Sequence, residues 1–177
     1  MEQSLAVPVL RTARLLLRGP RVEDARAHAA LWADPVVTRY IGGMPVAAPE
    51  SWLRLLRNAG HWALLGFGCW LIEDAASGQL IGEAGFLDLR RDTEPSFAGT
   101  LEIGWVLAPA AHGRGLATEA VRAMLAWGAG HFGPARVVCM IDPANAASLR
   151  LAQAQGFGDA GTVTLREQPM SLLARTL

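Results

Sequence analysis

The sequence predicts an α+β fold: a mixed, mostly antiparallel central sheet of about seven strands, flanked by about four helices. Two observations carry it. Strand-like runs follow one another with no helix between them across 68–107, and strands and helices then alternate up to residue 156. Adjacent strands joined by short connections pair antiparallel, whereas a strand–helix–strand unit makes a parallel pair. With 177 residues, 51% of them hydrophobic, the chain can form a single domain over 1–177 with a substantial core.

Taken in order, Arg14–Arg18 (RLLLR) reads as a strand ended by Gly19-Pro20. Val22–Ala33 reads as a helix with Glu23 and Asp24 in its first turn, where acids suit the dipole, and Asp34-Pro35 as its stop. Val36–Ile41 is ambiguous. Pro49–Asn58 has Trp52, Leu55 and Leu56 at helical spacing. Gly68–Glu73 and Gln79–Leu89 read as strands joined by a turn at Ser77-Gly78, Arg90–Gly99 as a loop, and Leu101–Leu107 as the next strand. Gly115–His131 is the clearest helix. Leu116, Ala120 and Met124 form one ridge, Ala117, Val121 and Leu125 the next, and Glu119 and Arg122 fall on the solvent side. Gly128, Gly130 and Gly133-Pro134 close it. Arg136–Ile141, apolar on both faces, reads as a central strand. Asp142–Ser148 is a helix entry continued by Leu149–Gln155 and capped by Gly156. Phe157–Arg166 and Gln168–Thr176 close the sheet, and the last strand offers an apolar edge on which a homodimer could form.

Composition excludes several classes. Lys+Arg and Asp+Glu are both 16, which argues against direct nucleic-acid binding. No apolar run approaches the ~18–20 residues of a membrane span. The start MEQSLAVPVLRTAR carries Glu2 and lacks a signal peptide's basic start and apolar region, so a cytoplasmic location is the default. Cys69 and Cys139 form no CxxC pair and read as buried thiols. His28, His61, His112 and His131 lack ligand spacing, so no metal is expected.

The chemistry concentrates in Leu101–Val121, LEIGWVLAPAAHGRGLATEAV. A strand enters a glycine loop that opens into a helix, presenting bare N–H groups where a phosphate can sit. A phosphate loop of the GxxxxGK[ST] type fails, because Leu116 follows Gly115. A GxGxxG dinucleotide fingerprint fails too, because Ala117-Thr118 follows Gly113-Arg114-Gly115 and no strand-end acid lies about twenty residues on.

What remains, EIGWVLAPAAHGRGLATEAV, resembles the acyl-CoA-binding motif of the Gcn5-related N-acetyltransferases (GNAT), in the branch that acetylates ribosomal-protein N-termini (RimJ/RimL type). The start LRTARLLLR with Asp24, then DPVVTRYIGG, GCWLIEDAASGQLIGEAGFLDL and DPANAASLRLAQAQGFGDAG, are similar to that branch in the same order. The resemblance covers almost the whole chain. It implies a V-shaped splay between the central strands, acetyl-CoA as cosubstrate, and acetyl transfer to a primary amine by direct attack in a ternary complex. It also implies that the backbone from His112 to Thr118, with Gly113, Arg114, Gly115 and Ala117, cradles the pyrophosphate, and that an N–H near Val106 or Leu107 holds the acetyl oxygen. His112 departs from the Gln or Arg that opens the family's loop.

Amine attack on a thioester needs a proton acceptor and an acid for the thiolate. Glu102, a carboxylate inside an apolar strand, is the first candidate base, and Glu83 in LIGEAG is the second. The alternative for Glu102 is an end-of-strand residue paired with an arginine. Many family members protonate the thiolate with a tyrosine after the position of Asn145; the one tyrosine here is Tyr40, far upstream. Ser148 is the replacement candidate, weighed against a plain place in a helix start capped by Asn145, which is also a contact for pantetheine. Trp32 and Trp52 fall in the helices that wall the acceptor site in the family. The acceptor is an amine on a small molecule or a protein N-terminus; an α-amino group, with a reference pKa of ~7.7–8.0 against ~10.4 for lysine, needs only a modest base. The alternative function is a catalytically inactive acyl-CoA-binding sensor.

Overall fold

The computed structural model describes residues 7–177; part of the signal-peptide reading falls on residues 1–6, outside that range. The strands are β1 (Leu10–Arg11), β2 (Leu15–Arg18), β3 (Cys69–Asp74), β4 (Leu80–Leu87), β5 (Thr93–Glu94), β6 (Leu101–Leu107), β7 (Arg136–Ile141), β8 (Gly158–Leu165) and β9 (Gln168–Thr176). The helices are α1 (Ala25–Trp32), α2 (Pro35–Thr38), α3 (Ala48–Leu65), α4 (Leu116–Phe132) and α5 (Ala146–Ala154). One sheet runs β1-β2-β3-β4-β6-β7-β9-β8-β5. Only β6 and β7 pair in parallel, as the crossover through α4 requires.

The mixed α+β architecture holds, with nine strands instead of about seven. The extra two are the two-residue strands β1 and β5, too short to leave a pattern in the sequence. β5 lies inside the expected loop Arg90–Gly99 and pairs with β8, so the β4–β6 connection crosses to the far side of the sheet. The last strand is not an edge: β9 lies between β7 and β8. β8, which shares the segment 162–176 read as the apolar edge, is covered only at Leu165 and Thr164, by β5.

Several boundaries move for local reasons. A 3-10 turn at Val22–Asp24 precedes α1, and Asp24 turns inward instead of serving the dipole. Its carboxylate accepts from Arg18 at 2.8 and 2.6 Å and from the Arg21 N–H at 2.7 Å. Asp34 is not only a stop: it caps the Val36 N–H and starts α2. Helix α3 runs seven residues past Asn58 and ends where Gly66 adopts φ +74°. Gly128 lies inside α4 because a Cβ there would come 2.3 Å from the Phe86 ring. Glu119, expected on the solvent side, binds the Thr12 hydroxyl at 2.6 Å and Arg14 Nε at 2.7 Å, tying α4 to the first hairpin.

The two faces of the sheet differ. Helix α4 covers the face of Trp70, Ala84 and Phe86, and α5 shares that core through Ala152. Helices α1 and α3 cover the opposite face, where their side chains reach Glu83. Farther along that face Phe97, from the β4–β6 connection, packs on Val138, Val163 and Leu172. No described helix is long and apolar enough to cross a membrane.

Candidate active site

The centre of the sheet splits. β6 pairs with β4 over six residue pairs, from Gly82↔Leu107 to Leu87↔Glu102. Against β7 it pairs only at Leu101↔Val137 and Glu102↔Val138. Beyond those two pairs the strands diverge, and the V opens toward their C-terminal ends. The Ala108 N–H donates to Ile81 C=O, which sets the alternation of the antiparallel ladder. Glu102, Gly104 and Val106 therefore spend their main-chain groups on β4, and those of Ile103, Trp105 and Leu107 turn toward β7. Of the two N–H groups expected near the acetyl oxygen, Val106's is spent on Glu83's carbonyl, while Leu107's faces the gap.

At the open end of the V sits the glycine loop. Gly113 and Gly115 have φ of +71° and +74°, a region that costs any residue with a Cβ. Gly115 is the N-cap of α4. The main-chain N–H groups from Gly113 to Thr118 donate to no backbone carbonyl outside the regular elements, and the first turn of a helix offers them none inside. Gly113 and the residues Gly115 to Thr118 of this run border a cleft of about 310 Å³, with Leu107 and His112 beside them and Ala147, Arg150 and Leu151 on the other side. His112 is anchored through Nε2 to the Leu107 carbonyl at 2.8 Å.

On the opposite face, two carboxylates flank the half-buried strip Gly104–Val106. Glu102 is 5% exposed, and both its oxygens are taken by Arg91, at 2.7 and 3.0 Å. Glu83 stands directly across from Val106. Its Oε2 accepts from His28 Nε2 at 2.9 Å and from Asn58 Nδ2 at 3.1 Å. His28 Nδ1 meets Ser51 Oγ at 2.7 Å. With Glu83 as a carboxylate, His28 donates from Nε2, and its Nδ1, in the neutral ring, accepts from Ser51. No donor among the described residues reaches Glu83 Oε1, and the Glu83 side chain keeps 8% of its surface exposed.

A family model for the acetyltransferase (GNAT) domain matches residues 14–158. The chain belongs to the GNAT acetyltransferase family. Its fold superposes on a GnaT-family acetyltransferase from Bordetella pertussis with a TM-score of 0.84 and 34% identity, over 95% of this chain and 99% of that one. YkkB of Bacillus subtilis (strain 168) is 29% identical over 93% of both chains. The ribosomal L7/L12 α-N-protein acetyltransferase RimL, in complex with coenzyme A, shares the fold at a TM-score of 0.76 and 16% identity, over 96% of this chain and 98% of that one.

Among the GNAT residues expected to meet the cosubstrate, Leu107, His112, Gly113, Gly115, Ala117 and Thr118 line the cleft; Val106, Arg114 and Asn145 do not. The Arg114 side chain leans toward Asp74 at 3.9 Å. Asn145 caps α5 by accepting from the Ser148 N–H at 3.1 Å, and no group among the described residues bonds the Ser148 hydroxyl. Trp32 is 4% exposed, under the Arg54 guanidinium at 4.5 Å, and so is mostly part of the wall behind any acceptor surface. Burial pushes the Cys139 thiol up to about 12, which suits an inert core residue. No described group of His, Cys, Asp or Glu could hold a metal.

Three residues of the candidate site escaped the sequence reading. Arg150 lines the cleft with Ala147, Leu151 and Ala154, at the i, i+3, i+4, i+7 spacing of one helix face, which the sequence does contain. His28 and Asn58 are spread over two helices and meet Glu83 only through the fold, so no spacing rule could find them.

Proposed function

We propose that the chain transfers the acetyl group of acetyl-CoA to a primary amine, on a small molecule or a protein N-terminus, by direct attack in a ternary complex. The observation that carries this reading is the run of unpaired N–H groups from Gly113 to Thr118 at the mouth of the β6–β7 split. A pyrophosphate is the ligand such a run is suited to, since several donors and the helix dipole converge on it. The pantetheine arm then enters the split and takes the place of the missing β7 ladder. There the Leu107 N–H is the donor for the thioester oxygen, strengthened as charge builds on that oxygen. Arg150 adds a cation beside the phosphates. Ser148, with its hydroxyl free at the start of α5, is the acid candidate for the thiolate, and Glu83 and Glu102 are the carboxylates on the side from which the amine arrives.

The test is release of free thiol from acetyl-CoA in the presence of polyamines, free amino acids and short peptides with open N-termini, beside calorimetric titration with CoA. Turnover with at least one amine is expected. Tight CoA binding with no thiol release on any amine would make the domain an acyl-CoA sensor, and tighter binding of ATP or NAD than of CoA would remove the reading altogether.

A further inference from the structure

We infer that Glu83 is the group that takes the proton from the attacking amine, and that His28 and Asn58 are positioning residues that aim it; this rests on the acetyl-transfer reading.

Position is the first argument. Glu83 lies across from Val106, beside the Leu107 N–H that faces the split. Glu102 lies five residues earlier on β6, roughly 16 Å away at ~3.3 Å per residue, farther than its own side chain can cover. Availability is the second. Both oxygens of Glu102 already accept from Arg91, so a proton arriving there competes with the guanidinium's charge. Glu83 has one oxygen held by two donors, and no donor among the described residues reaches the other. A carboxylate clamped on one side and open on the other has a fixed direction, which is what a proton acceptor needs.

Cost is the third. His28 and Ser51 are 0% exposed and Asn58 1%. A buried polar chain of this kind is unfavourable next to plain packing, and β4 shows the cheaper solution on its other face, with Ala84 and Phe86. Among the described residues, Glu83 Oε2, both His28 ring nitrogens, Ser51 Oγ and Asn58 Nδ2 are engaged with one another, and Glu83 Oε1 and Asn58 Oδ1 carry no hydrogen bond.

The chemistry closes on these groups. The amine lone pair attacks the thioester carbon, the C–N bond forms, and the carbonyl electrons move to the oxygen at the Leu107 N–H. Collapse breaks the C–S bond and leaves the electron pair on sulfur. The amine proton passes to Glu83 Oε1 and from there to water. The thiolate takes a proton from the Ser148 hydroxyl, which regains one from water.

Glu83→Gln keeps the size and the Oε2 contacts and removes the proton acceptor. With an amine that the wild type acetylates, kcat should fall about 10²- to 10⁴-fold while CoA affinity stays within twofold. Glu83→Ala should be as slow and partly rescued by added formate, a readout that loss of packing would not move. Asn58→Ala leaves the His28 contact in place and should lower kcat about tenfold with little change in KM for the amine, as loss of aim predicts. A wild-type kcat in Glu83→Gln overturns the inference and leaves the acetyl-transfer reading standing. So does a folded, CoA-binding Glu83→Ala that formate does not rescue. If Glu83→Gln fails to fold, Asn58→Ala decides: an unchanged kcat overturns the inference. A wild type that acetylates no amine overturns both readings.

Discussion

Beneath α4 the sheet is dry and aromatic; beneath α1 and α3 it is threaded with charge. On the first face Trp70 meets Trp127 at 5.0 Å and Trp62, which the end of α3 brings round to this core, at 4.7 Å, and Phe86 adds Phe132 at 5.1 Å. On the second, Arg18 grips Asp24 and Glu73, His28 and Asn58 hold Glu83, and Arg91 holds Glu102. Both sets are buried or half-buried, but by different physics. Dispersion and area burial have no direction, so the aromatic face can supply stability without fixing any atom to a fraction of an ångström. Ion pairs and hydrogen bonds stabilise little overall, yet they fix direction. An attacking amine needs direction, and on the proposed reading it approaches from the charged face. The glycine loop and the β6–β7 split connect the two.

The largest effect should come from breaking the dry face. Trp70→Ala should cost about 3–5 kcal/mol of folding free energy in urea titrations, with CoA affinity preserved in the folded fraction. On the charged face, Asp24→Asn should cost about 3 kcal/mol, since it leaves the 5%-exposed Arg18 short of a counter-charge. Burial alone would raise the Asp24 carboxyl; the Arg18 guanidinium and the Arg21 N–H outweigh it and hold it below the usual carboxylate range. Below pH about 4 the unfolded chain therefore binds more protons at this site than the folded one. Its contribution is present above that pH and lost on further acidification. Stability against pH measured for both proteins should show a shallower acid limb in Asp24→Asn.

At the connection, Gly115→Ala forces a Cβ into φ +74° and should cost about 1–2 kcal/mol. Unlike Trp70→Ala, it should also weaken CoA binding, because the N–H groups turn away. Glu102→Gln should lower kcat less than tenfold, about 1.4 kcal/mol or less, far short of the loss in Glu83→Gln. An equal loss would mean that Arg91 releases Glu102 during turnover. Ser148→Ala should have the smallest effect, a few-fold in kcat with no change in thermal midpoint, because the cap uses the Ser148 N–H and not its hydroxyl.

The parts that were legible are those that local geometry dictates. The glycine loop, the Asn145 cap, the ridges of α4 and the strand leading into the loop each rest on contacts within a few residues, and each is where periodicity and turn chemistry put it. Alternation along LEIGWVL located Glu102 but said nothing of Arg91, whose approach depends on a connection that crosses the sheet to pair β5 with β8. Glu119 looked solvent-facing by helical phase, and only the first hairpin packing against α4 made it an anchor. The last strand looked like an edge because chain order does not give sheet order.

By itself, then, the sequence determined the class of fold, the glycine loop at a helix start and the family, because these follow from short-range sterics, main-chain donors and the spacing of apolar residues. Which carboxylate is open and which is tied, which N–H faces the split, and how His28, Ser51 and Asn58 converge on Glu83 were decided by the tertiary structure alone. Each of those depends on register and packing between segments tens of residues apart, and no local rule reaches that far.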